Sequence, residues 1–135
     1  MVAGNDKDET DSNDSMESVT ALLAAGKLES AASVLSRLLI ANPQDATAIF
    51  YLANIRATQG QRQVAIDLLS EIPPEVPEAG LAALGVAAQW CMELEKYKEA
   101  EQRYRKILEL APGADLARRP LAYLYNRQGR RHEAN

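Results

Sequence analysis

The sequence predicts an all-α fold of antiparallel helix hairpins, and three observations carry that expectation. Apolar residues fill 47% of the 135 positions, enough for one domain with a core. Ala and Leu recur while Phe and Trp occur once each, a balance that favours closely packed helices over a β-sandwich. Small residues and prolines return at a constant period, and the apolar residues between them follow helical spacing.

That period is 34 to 35 residues. Ala31, Ala65, Ala100 and Ala134 form one column, and Pro43, Pro77 and Pro112 form a second. A third holds Gly26, Gly60 and Gly129, with Glu95 standing where a Gly is missing. Gly in a short turn between helices takes positive φ at little cost. The small Ala lets the second helix of each hairpin approach the first, and Pro just past that helix stops it. Within the second helices, Ala31, Val34, Leu35 and Leu38 share a face, as do Ala65, Leu68, Leu69 and Ile72, and Ala100, Tyr104, Ile107 and Leu108.

At these residues the sequence resembles the tetratricopeptide repeat (TPR) family. The clearest stretches are AIFYLANIRATQGQRQVAIDLL (48–69) and LEKYKEAEQRYRKILELAP (94–112), and the resemblance covers about residues 15–135. It implies hairpins stacked as a right-handed α-solenoid, a TPR-like superhelix. The expected organisation is an acidic disordered tail over 1–13, then a TPR-like domain over 14–135. Its repeats are placed at about 14–45, 46–79 and 80–114, with a partial repeat at 115–135.

Helices are expected at about 15–25, 28–41, 45–58, 61–71, 79–94, 97–110 and 116–128. Asp14 is the expected N-cap of the first, with Glu17 completing a capping-box-like pair. Pro73 and Pro74 should stop the fourth helix near Glu71. Pro120 should delay or bend the last helix. With the second helix of its hairpin missing, that last helix is expected to leave Leu121, Leu124 and Tyr125 partly uncovered, so that a second copy or further residues would cover them. A homodimer through this helix is the corresponding oligomer.

The net charge of −4 argues against a general nucleic-acid binder, although its distribution is uneven. Residues 1–17 carry one Lys and six acids, whereas residues 115–135 carry five Arg and two acids. One cysteine, Cys91, cannot form an internal disulfide. No apolar run reaches the roughly 20 residues of a membrane span, and the N-terminus lacks the pattern of a secretory signal. A cytoplasmic protein with no membrane partner is expected.

Chemistry-bearing constellations are scarce. His132 is the single His, flanked by Arg130 and Arg131, and reads as a solvated residue. Cys91 falls on a packing column with Leu84, Ala87 and Ala88, which reads as an inert buried thiol. No set of residues has metal-ligand spacing and no glycine loop could hold phosphate. The expectation is a non-enzyme without metal, cofactor or catalytic residues.

By resemblance, the first helices of the hairpins line a concave peptide-binding groove. Its columns give Phe50, Asn54, Ala57 and Thr58, then Gly85, Gln89, Met92 and Glu93, then Arg119, Tyr123, Asn126 and Arg127. Some family members clamp a terminal carboxylate with Lys, Asn and Arg. Asn54 fits one such position, but Phe50 and Val86 occupy two others, so that pattern is largely absent. Phe50, Met92 and Tyr123 are the large groove side chains, and Arg119 and Arg127 add positive charge. The expected function is a protein-interaction scaffold for a peptide or protein segment, acidic or C-terminal. The alternative is an RNA-binding helical repeat using Arg118, Arg119, Arg127, Arg130 and Arg131 with Tyr123 and Tyr125 as stacking platforms.

Overall fold

The positions singled out as hairpin turns have left-handed backbone. In the computed structural model, which describes residues 14–129, φ is 76° at Gly26, 83° at Gly60 and 73° at Gly129, and Glu95 takes 61° in the missing glycine's place. The hydrogen bonds repeat with them. Lys27 N donates to Leu22 O at 2.9 Å, Gln61 N to Arg56 O at 2.8 Å and Lys96 N to Cys91 O at 2.8 Å. Each is the closing bond of a helix end that turns through one left-handed residue.

Seven helices and no strand occur among the described residues: α1 (Met16–Ala24), α2 (Leu28–Ala41), α3 (Ala46–Thr58), α4 (Arg62–Leu69), α5 (Ala79–Glu93), α6 (Tyr97–Leu110) and α7 (Asp115–Arg127). This is an all-α helical repeat fold. The proposed acidic tail at 1–13 lies outside the described residues, as do Arg130, Arg131, His132 and Ala134.

The residues group into two compact units, one running to Leu68 and one from Leu69. In the first, α2 packs on α1 and α3. Its core joins Val19 of α1, Ala31, Ala32, Val34 and Leu35 of α2, and Ala48, Leu52 and Ile55 of α3. In the second, α6 packs on α5 and α7, burying Ala83, Ala87, Ala88 and Cys91 with Ala100, Tyr104 and Ile107. The repeat Ala columns are fully closed: Ala31, Ala65 and Ala100 have no exposed surface.

Two capping expectations need correction. Ser15, not Asp14, caps α1: Ser15 Oγ accepts from Ser18 N at 3.3 Å, and Ser18 Oγ accepts from Ser15 N at 3.3 Å. The box partner is therefore Ser18 and not Glu17. The Asp14 carboxylate is drawn off to Arg37, 2.8 Å from its guanidinium. α3, by contrast, is capped by Asp45, whose carboxylate accepts from Ala48 N at 3.2 Å.

Prolines act unequally. α4 stops at Leu69, two residues before Glu71, and the following Pro-rich loop packs onto the start of α5 so closely that a Cβ on Gly80 would collide with the Pro73 and Pro74 carbonyls. Glu78, the N-cap of α5, is left at φ 66°. Pro120 does not delay α7, which begins at Asp115 and carries the proline inside. A helix-interior proline costs ~3 kcal/mol or more, because it removes a hydrogen bond to the residue four before it.

Nor does α7 leave its apolar face open. Leu121, Leu124 and Tyr125 are 5%, 0% and 7% exposed. α6 covers them, and a polar chain reinforces the contact: Glu101 accepts from Arg105 Nε at 2.9 Å, and Arg105 lies over the Tyr125 ring at 5.3 Å. A second copy is not required to cover these three residues.

Candidate functional site

Helical spacing brings one face of α5 opposite one face of α7. Leu81, Ala82, Gly85, Val86, Gln89 and Met92 come from α5, and Leu116, Arg119, Pro120 and Tyr123 from α7, with the Tyr104 ring of α6 at the floor. Together they line a cavity of about 820 Å³. The wall is apolar apart from Gln89, Arg119 and the two tyrosine hydroxyls. It contains no carboxylate.

Gly85 keeps the cavity open. Mid-helix glycine is ~0.5–1 kcal/mol worse than alanine, yet a Cβ here would meet only the Leu116 Cδ1 at 3.3 Å and Ile107 Cδ1 at 3.9 Å. Leu116 would have to give by a few tenths of an ångström, which the end of an exposed side chain can do. What its absence of side chain provides is space against Leu116, which is 58% exposed.

Arg119 is the cation of this wall. It is exposed, and no ion pair holds it among the described residues. Its neighbours are engaged: Arg118 faces Asp115 at 3.5 Å, and Arg127 lies over the Tyr97 ring at 4.4 Å. Burial pushes the Tyr104 hydroxyl and the Cys91 thiol above their ordinary values, so both stay protonated near neutrality. Cys91 is 1% exposed, in the packed position the sequence pattern indicated.

Of the groove residues expected from sequence, Gln89, Met92, Arg119 and Tyr123 meet around the cavity, with Gly85. Phe50, half-buried, and Asn54, exposed, lie on α3 in the first unit. Asn126 is exposed on α7 beyond the lining, and Arg127 is turned to Tyr97. Sequence reasoning missed Leu81, Leu116 and Pro120 as wall residues. Leu116, Pro120 and Tyr123 do follow helical spacing, which was the available signal. No cluster able to hold a metal ion occurs among the described residues.

A family model described as anaphase-promoting complex, cyclosome, subunit 3 matches residues 24–107, and so 84 of the 135 residues. The chain belongs to this tetratricopeptide-type repeat family. Among solved structures, MamA is similar at a TM-score of 0.70 and 20% identity, over 86% of this chain and 67% of that one. A second MamA structure gives 0.71 and 19%, over 93% and 70%. A tetratricopeptide repeat protein from Parabacteroides merdae gives 0.71 and 26%, over 86% and 45%. The chain thus spans under half of that last protein. The MamA likeness shows the fold alone. No protein of curated function matches the sequence. TPR-type folds are in general protein–protein interaction scaffolds. No helix among the described residues is long and apolar enough to cross a membrane.

Proposed function

We propose that this chain is a non-catalytic interaction module that binds a carboxylate-bearing peptide segment, acidic or C-terminal, in the cavity between α5 and α7. One observation carries the reading: an apolar cavity of about 820 Å³, within the usual range of ligand sites, has one cation in its wall, Arg119, with no ion-pair partner among the described residues and no carboxylate in the lining. Apolar lining with a few placed polar groups is the usual composition of a binding site, and an unpaired guanidinium selects a carboxylate. Residence in the cytoplasm belongs to the same proposal, since the buried Cys91 thiol suits a reducing compartment.

The RNA reading has less support. Tyr125 is 7% exposed and cannot stack on a base, while Arg118 and Arg127 are engaged with Asp115 and Tyr97.

The test is a random heptapeptide library displayed in two formats, one leaving the peptide C-terminus free and one fusing it. Sequences combining an apolar residue with Asp or Glu should be enriched in the fused format. Enrichment in the free format alone would assign the carboxylate to the terminus. Gly85→Leu, which fills the cavity, should abolish enrichment in both. Equal enrichment on Gly85→Leu would place the binding surface elsewhere.

A further inference from the structure

Pro120 sits inside α7 on the cavity wall, one turn after Leu116, which lines the same wall. In an α-helix the N–H of residue 120 would bond the carbonyl of residue 116. Proline has no N–H, so that bond cannot form and the Leu116 carbonyl loses its helical donor. Helix carbonyls point toward the C-terminus, so this oxygen is directed from Leu116 toward Pro120, and both residues line the cavity. Leu116 is also 58% exposed, and Gly85 opposite it presents no side chain. Arg119 lines the same wall.

An acceptor and a cationic donor on one apolar wall complement a peptide that offers a main-chain N–H and a carboxylate. We infer that the Leu116 carbonyl, released by Pro120, accepts a hydrogen bond from a main-chain amide of the bound peptide, with Arg119 holding its carboxylate. Main-chain bonds of this kind set the register of a bound segment, while pockets choose its side chains. Pro120 is then a positioning residue for the ligand. This inference rests on the proposed cavity-binding function and assigns that cavity its backbone contact.

The probe is the strongest heptapeptide from the displayed library, fluorescein-labelled, with fluorescence anisotropy as readout on the full chain. Pro120→Ala restores the N–H and so the helical bond to Leu116. It should raise the melting temperature and still weaken peptide binding by about threefold to tenfold, as the loss of one hydrogen bond does. Peptides with each amide replaced in turn by an ester locate the donor: one ester should weaken binding to the native chain and make no further difference to Pro120→Ala. Binding to Pro120→Ala as tight as to the native chain, or no ester position sensitive to that substitution, overturns the inference. Gly85→Leu separates the two levels. If it abolishes binding while Pro120→Ala does not weaken it, the cavity stands and the backbone contact falls. If it leaves binding intact, or if no heptapeptide is enriched at all, the cavity reading fails and the inference with it.

Discussion

The two compact units share their packing columns and differ in their surfaces. Ala31 and Ala100 occupy equivalent sites with no exposed surface. The turns at Asn42 and Ala111 have nearly the same backbone, φ −142° at both, with ψ of 86° and 84°. Yet a cavity of about 520 Å³ in the first unit mixes Ser18, Ser30, Ser33 and Lys27 with Leu22 and Val34, and its Arg37 is already bound to Asp14. The cavity between α5 and α7 in the second unit has an apolar wall and an arginine with no ion pair among the described residues. The repeat therefore dictates the scaffold and leaves function to residues the repeat does not specify.

The comparison breaks most severely in the second unit's core. Leu124 is fully buried on α7, which packs on α6, so Leu124→Ala should cost ~2–5 kcal/mol through the cavity it leaves. Urea denaturation measures this, and a loss of only a few tenths would mean that Leu124 is not packed against α6. Next in size are Ala31→Leu and Ala100→Leu, each expected to cost ~1–3 kcal/mol by overpacking. Similar losses support the equivalence of the two sites, whereas one tolerated and one disruptive substitution would contradict it.

Glu95→Gly sharpens the comparison in the opposite direction. A left-handed conformation costs an L-residue ~1–2 kcal/mol, so the glycine found at the equivalent turns should raise the melting temperature. The smallest effect belongs to Asp14. Its hydrogen bonds to Arg37 hold the carboxyl below its ordinary 3.8. A lowered folded value contributes stability above the unfolded value and loses it as pH falls through the folded one. Asp14→Asn should therefore be slightly less stable at pH 7, with the gap narrowing as pH falls below the ordinary carboxylate range, as thermal melts across a pH series would show. The pair is exposed, so the difference should also shrink in high salt.

Most of the fold was legible because the Ala, Gly and Pro columns mark helix contacts, turns and stops by local chemistry. Its errors came from tertiary choices. Asp14 and Ser15 are both good caps, and Arg37, 23 residues away, removed Asp14 from the competition. The cover over Tyr125 was hidden because it depends on Arg105 and Glu101 crossing from α6. The candidate site was half legible. Gln89, Met92, Arg119 and Tyr123 followed from the resemblance, but the groove columns it supplied omit Leu116 and Pro120, which share that face of α7 and line the same cavity. Arg127 was taken as a free cation because nothing local reveals its contact with Tyr97.

The central claim, that binding belongs to the cavity of the second unit and not to the matching face of α3, is tested most directly by amide chemical-shift mapping. The isotope-labelled chain is titrated with the selected heptapeptide. The account predicts perturbations at Gly85, Gln89 and Met92 of α5 and at Leu116, Arg119 and Tyr123 of α7, with Phe50 and Asn54 unmoved. Shifts centred on Phe50 and Asn54, with α5 and α7 silent, would contradict it.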